Sequence, residues 1–93
     1  MAWKFNFTPK AEKQLAKLGK QEQTQILKFL LKRVALLENP RSLGEALQGS
    51  TYKGLWKYRT GDYRIICEIQ DRDISILVFK IGNRREIYKK QKI

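Results

Sequence analysis

Residues 55–66 read Leu-Trp-Lys-Tyr-Arg-Thr-Gly-Asp-Tyr-Arg-Ile-Ile, in which charged and apolar side chains alternate. That alternation has the two-residue period of a β-strand with one buried face. The step Thr60-Gly61-Asp62 interrupts the alternation, and glycine can adopt the positive φ that a tight turn requires. The stretch therefore predicts a β-hairpin with strands at Tyr52–Arg59 and Tyr63–Gln70.

The same periodicity extends outward from the hairpin. Asp71-Arg72-Asp73 predicts a second turn, and Ile74–Ile81 predicts a strand that is apolar on both faces, as in the interior of a sheet. Gly82-Asn83 is predicted to end that strand, and the basic tail Arg84–Ile93 follows. Near the N-terminus, apolar side chains occupy every second position of Trp3–Phe7, which predicts a further strand.

A first helix is predicted directly after Trp3–Phe7. The hydroxyl of Thr8 can cap the helix by accepting from a free amide of the first turn. Pro9 suits the first helical position, where its missing N–H costs nothing. The helix is predicted to run to Leu18, with Gly19 supplying a left-handed residue that ends it.

A second, longer helix is predicted from Lys20 or Gln21 to Leu37. Its apolar residues have the 3-4-7 spacing of an amphipathic helix. They are Ile26, Phe29, Leu30, Val34 and Leu37, and Leu27, Leu31 and Leu36 broaden the stripe enough to predict more than one neighbour. The connector Pro40–Ser50 follows, with a short helical turn predicted at Leu43–Leu47.

The element order is therefore β-α-α-β-β-β, which defines an α+β fold. The short step between the helices predicts an antiparallel helical hairpin. That hairpin is predicted to pack on one face of a mostly antiparallel sheet, because each layer has one apolar side to bury. The 93 residues are sufficient for a single domain spanning 1–93.

The amino-acid composition limits the classes of partner and of site that the chain can have. Lys and Arg number 20 against 9 acidic residues, a net charge of +11, and the chain has no histidine. So basic a domain favours a polyanionic partner such as nucleic acid, an anionic membrane or an acidic protein. No run of apolar residues is long enough to span a membrane. Without histidine, and with the single cysteine Cys67, no zinc site of His and Cys can form, and we expect no metal and no cofactor.

Cys67 falls within an apolar strand pattern, so we interpret it as a buried hydrophobe and not as a nucleophile. A single cysteine cannot form an intrachain disulfide, which fits a reducing cytoplasm.

The cations concentrate on one face of the predicted sheet. On the first hairpin strand, Lys53, Lys57 and Arg59 share a face with Leu55. The aromatic residues Trp56 and Tyr58 lie on the opposite face and are interpreted as core. The other candidate residues of the cationic face are Arg64 on the next strand and Arg84, Arg85 and Tyr88 in the tail.

A cluster of lysine, arginine and tyrosine side chains is suited to binding or cleaving phosphodiesters. Arginine forks match phosphate oxygens bidentately and stabilise negative charge that grows in a transition state. Clustered cations also lower the pKa of a neighbouring lysine or tyrosine, which could then transfer protons. The spacing alone leaves two readings open: binding of a phosphate backbone without catalysis, and catalysis on it.

These segments together resemble the RelE/ParE superfamily of bacterial type II toxins. The resemblance covers nearly the whole chain, from Phe-Thr-Pro-Lys-Ala at residues 7–11 onward. Its most specific part is a pair of motifs, Gly-Asp-Tyr-Arg at 61–64 and Gly-x-Arg-Arg-x-x-Tyr at 82–88. RelE-like members are ribosome-dependent endonucleases that cut mRNA in the decoding site, and the ending of this chain resembles theirs.

The resemblance implies roles for particular residues. In RelE-like toxins, the ribose 2′-hydroxyl attacks the adjacent phosphate, assisted by lysines, arginines and a tyrosine. When the family's roles are carried over to this sequence, the implied catalytic residues are Lys57, Arg64, Arg84 and Tyr88. The implied RNA- or phosphate-binding residues are Lys53, Arg59 and Arg85. A further lysine of the family corresponds to Leu55 here, and Lys53 is the candidate to replace it.

Two other functions stay open. ParE-like members of the superfamily poison DNA gyrase without nuclease activity, and a catalytically inactive binding module is a third possibility. For either toxin, the resemblance implies a cognate antitoxin, and an acidic, partly disordered chain would complement the +11 charge. The nuclease hypothesis adds the ribosome and mRNA as partners, with no membrane association and a cytoplasmic location.

Overall fold

A computed structural model describes residues 2–48 and 54–85. Their helices and strands form an α+β arrangement of two helices and a five-stranded sheet. The elements are β1 (Lys4–Phe7), α1 (Pro9–Ala16), α2 (Lys20–Lys32), β2 (Glu45–Ala46), β3 (Trp56–Thr60), β4 (Tyr63–Gln70) and β5 (Ser75–Asn83). Single 3₁₀ turns occur at Val34–Leu36, Pro40–Ser42 and Asp71–Asp73.

The sheet has the strand order β1-β5-β4-β3-β2. Only β1 and β5 are parallel within the described sheet, and the other neighbours are antiparallel. The predicted mostly antiparallel sheet is therefore confirmed. β2 was not predicted: the short helical turn expected at Leu43–Leu47 is wrong, because Glu45 and Ala46 instead pair with Lys57 and Trp56.

The hairpin has the predicted turn. β3 ends at Thr60 and β4 begins at Tyr63, so Gly61 and Asp62 form a two-residue loop. Gly61 has a φ of +60°, as the first loop residue of a type II′ turn requires. The predicted bounds of β4 are those observed. β3 ends one residue later than predicted, and its predicted start at Tyr52 lies outside the described residues.

The N-terminal segment also follows its sequence signals. Thr8 caps α1, because its side-chain oxygen accepts a hydrogen bond from the amide of Ala11, and Pro9 occupies the first helical position. The prediction for Gly19 is wrong. Gly19 has an extended backbone, with φ −63° and ψ 159°, and precedes α2 as its N-cap instead of ending α1. α1 ends at Ala16, earlier than the predicted Leu18, and Lys17 is its C-cap, so Gly19 lies past the end of α1 and directly before α2.

The second helix ends at Lys32, earlier than the predicted Leu37. Beyond it, the 3₁₀ turn Val34–Leu36 directs the carbonyl of Ala35 to the amide of Trp3, 2.8 Å away. This tertiary bond favours the tighter turn over a further helical turn. Leu31 and Leu36 are 49% and 66% exposed, so their predicted part in a broader packing stripe is wrong.

The core lies between the helices and one face of the sheet, as predicted. It includes Ala11, Ile26, Leu30 and Val34 from the helical side, and Tyr58, Ile65, Cys67, Ile69, Ile76, Val78 and Ile81 from the strands. We call the opposite face of the sheet the open face. Neither helix within residues 2–48 and 54–85 has the length and apolar content needed to cross a bilayer.

Candidate functional site

Three of the predicted cations lie together on the open face. Within the β3–β4 ladder, Lys57 is opposite Ile66 and Arg59 is opposite Arg64. Directly opposed residues project from the same side of a sheet. Since the neighbouring Tyr58 and Ile65 are buried in the core, these cations project away from the helices.

The cations line a cavity of about 340 Å³. Its walls are formed by Leu43, Gly44, Glu45, Lys57, Arg59 and Arg64. The connector before β2 contributes one side of the cavity, and strands β3 and β4 contribute the other. A concave site with three cations is suited to binding an anion such as a phosphate group.

Two aromatic side chains of β3 hold the connector against the sheet. The indole Nε1 of Trp56 donates to the carbonyl of Leu43 at 2.8 Å, and the hydroxyl of Tyr58 donates to the carbonyl of Pro40 at 2.5 Å. Tyr58 is fully buried, and Trp56 is half-buried against the core. Their interpretation as core residues is confirmed, and both also fix the wall of the cavity.

Tyr58 is unsuited to proton transfer. Burial raises the pKa of its phenol, because the phenolate would have to exist away from water. The same holds for Cys67, a fully buried thiol whose pKa is raised by burial to about 12. Cys67 is therefore a small core residue, as the sequence predicted.

Gly44 allows the connector to approach β3 closely. Its φ is +82°, and a Cβ at this position would lie 2.4 Å from the carbonyl oxygen of Lys57. Only glycine fits this contact without a shift of the backbone. The close approach places the following residue, Glu45, beside Lys57.

Sequence reasoning missed Glu45. Its Oε2 lies 3.6 Å from Nζ of Lys57, and its side chain is 70% exposed. A carboxylate lining the cavity can accept a proton, a role that the sequence had left to lysines and a tyrosine. The available signal was the acidic residue directly after Leu43-Gly44 in a basic chain, but no local pattern predicts that this segment pairs with β3.

Arg64 is oriented by the turn that precedes it. One of its terminal nitrogens, Nη1, donates to the carbonyls of Gly61 and Tyr63, each at 3.2 Å. Both bonds use a single nitrogen of a group that carries five N–H donors. The guanidinium is thereby held in place while retaining donors for a ligand.

The two arginines after β5 lie beside the hairpin turn and are not among the described residues that line the cavity. The amide of Arg84 donates to the carbonyl of Asp62 at 2.7 Å, and its Nε lies 3.8 Å from Oδ1 of Asp62. Arg85 is exposed, and its amide donates to Oδ1 of Asn83. Arg84 and Arg85 therefore extend the cationic surface beyond the end of the hairpin.

Two predicted site residues, Lys53 and Tyr88, lie outside the described residues, and their roles remain predictions. Of the other five, Lys57, Arg59 and Arg64 meet at one cavity, and Arg84 and Arg85 flank the adjacent turn. This arrangement can bind an extended anion along the open face.

Comparisons with known proteins give the family. A model described as the ParE toxin of the type II toxin–antitoxin system, parDE, matches residues 5–88. The mRNA interferase toxin RelE of Escherichia coli is 31% identical over 90 residues, which cover 95% of this chain and 92% of RelE. The chain therefore belongs to the RelE/ParE superfamily of type II toxins.

Solved structures give the fold independently. The toxin–antitoxin complex RelBE2 of Mycobacterium tuberculosis matches with a TM-score of 0.81 at 21% identity, over 92% of this chain and 95% of that chain. The intact RelBE complex of E. coli matches with a TM-score of 0.68 at 25% identity, over 88% and 96%. The predicted RelE-like α+β fold is confirmed.

Proposed function

We propose that this chain is the toxin of a type II toxin–antitoxin pair and cleaves mRNA on the ribosome. The observation that carries the proposal is the cavity that Lys57, Arg59 and Arg64 line together with Glu45, whose carboxylate lies 3.6 Å from the ammonium of Lys57. A phosphodiester beside a hydroxyl fits this combination of anion-binding groups and a proton acceptor. The relatives named as mRNA interferases support the same activity.

In the proposed reaction, the ribose 2′-oxygen attacks the adjacent phosphorus. Glu45 accepts the proton of the 2′-hydroxyl, the O2′–P bond forms and the P–O5′ bond breaks. The products are a 2′,3′-cyclic phosphate and a 5′-hydroxyl, whose proton Tyr88 supplies in the role that the family resemblance assigns to it. No imidazole is needed for either transfer.

The cations have a separate role in this reaction. Negative charge grows on the non-bridging oxygens as the phosphorus becomes five-coordinate, and Arg59 and Arg64, which line the cavity, are proposed to offset it. Lys57 adds a point charge from the same wall. Removing one such donor from an enzyme site typically costs about 10²–10³ in rate. Lys53, Arg84 and Arg85 are proposed to hold the flanking RNA.

The test compares induction of the wild type with induction of an Arg64→Ala/Arg84→Ala variant, followed by mapping of new 5′ ends in ribosome-bound mRNA. The wild type is expected to arrest growth and to generate the ends, and the variant to do neither. Arg33→Ala/Arg72→Ala is the matched control, because both of these arginines are exposed and lie outside the cavity lining. Equal arrest by the wild type and the site variant, or intact mRNA after induction of the wild type, refutes the proposal.

Poisoning of DNA gyrase is the alternative function, favoured by the ParE description of the family model that matches residues 5–88. It predicts cleaved gyrase–DNA complexes after induction, with mRNA left intact. A purified chain that affects neither translation nor gyrase would instead favour the inactive binding module.

A cognate antitoxin is part of either toxin hypothesis. The structural relatives include toxin–antitoxin complexes, and an acidic, partly disordered partner complements the net charge of +11. In the nuclease proposal the toxin acts in the cytoplasm, where the ribosome and mRNA are present.

A further inference from the structure

Strand β5 changes the side of the sheet to which its side chains point. Val78 belongs to the core, so simple alternation would also direct Lys80 toward the helices. The β4–β5 ladder instead steps from the pair Ile66–Lys80 to the pair Cys67–Val78. Phe79 is therefore the extra residue of a β-bulge. A bulge re-aims the side chains that follow it, and here it brings Lys80 to the open face.

The positions of the core residues confirm that the side chains change sides after Val78, because the next core residue is Ile81 and not Lys80. On the open face, the two ladders place Lys57, Ile66 and Lys80 in one row across β3, β4 and β5. Neighbouring strands are about 4.8 Å apart, so the Cα atoms of the two lysines are separated by roughly 10 Å. The long aliphatic stem of a lysine can stay covered while its ammonium group reaches solvent, so the two lysines can present charges on either side of the buried Ile66.

The surroundings of Lys80 favour an anionic ligand. Lys80 is only 8% exposed, and Ile66 beside it is fully buried although it is not part of the main core cluster. Burial, and to a lesser extent the positive charge of Lys10, lower the pKa of the Lys80 ammonium. A cation in partly covered surroundings interacts more strongly with an anion than a fully hydrated cation does, because less water screens the pair.

The N-cap of α1 and a glutamine within the helix help to fix this end of the row. The Thr8 amide donates to the carbonyl of Val78 at 3.0 Å, and its hydroxyl donates to the carbonyl of the bulged residue Phe79 at 3.3 Å. The side-chain oxygen Oε1 of Gln14 accepts from the amide of Ile81 at 2.8 Å. The bulge is therefore anchored on both sides of Lys80.

We propose that Lys80 is an additional RNA-binding lysine of the cleavage site, holding a backbone phosphate on the side of Ile66 that faces away from Lys57. The inference rests on the proposed function, because it assigns a second phosphate contact to the same substrate. A lysine acts at such a contact as a point charge on a flexible stem. The RNA would thus contact the cations of the cavity on β3 and β4 and also Lys80 on β5.

The experiment measures binding of the full chain to a fluorescent single-stranded 2′-O-methyl RNA, which lacks the attacking hydroxyl. Lys80→Met keeps the stem and removes the charge. It is expected to weaken binding roughly tenfold, the scale of one charge-assisted hydrogen bond. It should also make the slope of log K against log salt less steep by about 0.7, as loss of one phosphate contact to a single strand predicts.

Two further variants complete the test. Lys28→Met, at an exposed position of α2, should leave affinity and slope unchanged. Lys80→Arg retains the charge and should restore binding. Lys80→Met that binds like Lys28→Met overturns the inference, and so does an equal loss in Lys80→Met and Lys80→Arg, since packing would then be the cause.

The same variants are assayed for cleavage of ribosome-bound mRNA. If the wild type binds the RNA probe and Lys80→Met weakens binding, but the wild type cuts no mRNA, the role of Lys80 stands and the nuclease proposal fails. If the wild type does not bind the probe, the role of Lys80 is refuted. If Lys80→Met alone loses both binding and cleavage, both proposals are supported.

Discussion

The ammonium of Lys57 lies 3.6 Å from Oε2 of Glu45, across the two-residue pairing of β2 with β3. The Lys57 side chain is 24% exposed and that of Glu45 is 70% exposed, so the pair joins a largely covered cation to an accessible carboxylate. Exposed ion pairs typically contribute about 0–1 kcal/mol to stability. Replacing Glu45 therefore tests chemistry with little effect on folding.

Glu45→Gln is expected to lower the rate of mRNA cleavage by about a hundredfold or more, the usual contribution of a general base. RNA binding should tighten, because the change removes a negative charge from a cavity that Lys57, Arg59 and Arg64 line. The measurement is cleavage rate alongside binding of uncleavable RNA and the melting temperature. Glu38→Gln, at an exposed position outside the cavity lining, serves as the control. Cleavage at the wild-type rate would assign the proton acceptor to another group.

Tyr58→Phe is expected to lower the free energy of unfolding by roughly 1–3 kcal/mol, because the buried carbonyl of Pro40 loses its donor. The ring itself is retained, including its edge-to-face contact with Phe29 at 6.2 Å between centroids. Urea denaturation measures the change. In Tyr63→Phe, a loss within about 0.5 kcal/mol is expected, since the Tyr63 hydroxyl makes no hydrogen bond to another described residue. Equal losses in the two variants would contradict the importance of the Tyr58–Pro40 bond.

Gly44→Ala is expected to detach the connector from β3 and to reduce both stability and cleavage. The substitution adds a Cβ at 2.4 Å from the carbonyl oxygen of Lys57, where overpacking typically costs about 1–3 kcal/mol, in addition to the strain of a positive φ. Gly54→Ala is the matched control, because Gly54 has a φ of +84° but no atom within 4 Å of the added Cβ. Urea denaturation of both variants separates the clash from the strain. A larger loss in Gly54→Ala would exclude the clash as the cause.

Stability is expected to fall as the pH rises above the ordinary thiol pKa of about 8.5. Burial raises the pKa of Cys67 to about 12, so between these values the unfolded chain loses a proton that the native chain keeps. The native state then binds more protons, and the free energy of unfolding decreases with rising pH, by about 2 kcal/mol near pH 10 from this group.

Urea denaturation at pH 7 and pH 10 measures this decline in the wild type and in Cys67→Ala. The variant should start from a lower stability, because it leaves a small cavity, but should lose less between the two pH values. Identical losses would show that other groups cause the alkaline destabilisation.

The parts of the fold that the sequence predicted well are those with local causes. The bounds of β4 follow from alternation together with the glycine of its turn, and the start of α1 follows from Thr8 and Pro9. The end of α2 was mispredicted because it depends on the bond between the amide of Trp3 and the carbonyl of Ala35. That bond joins segments far apart in sequence and leaves no local pattern.

The candidate site likewise contains residues that local sequence patterns predicted and one residue that they did not. Alternation correctly grouped Lys57 and Arg59 on one face, and the register across the turn added Arg64. It could not predict Glu45, whose position depends on hydrogen bonds from Trp56 and Tyr58 to the connector. These are long-range contacts, and local periodicity contains no information about them.

The parallel pairing of β1 with β5 has a consequence for how the protein is made. Thr8 and Phe79, which are hydrogen-bonded at the end of this pairing, are 71 residues apart. Synthesis proceeds from the N-terminus, so β1 emerges long before the strand it must join. Contacts between such distant segments also slow folding. The row of Lys57, Ile66 and Lys80 cannot assemble until β5 has been synthesised. A nascent toxin therefore lacks the assembled cationic face until β5 has left the ribosome.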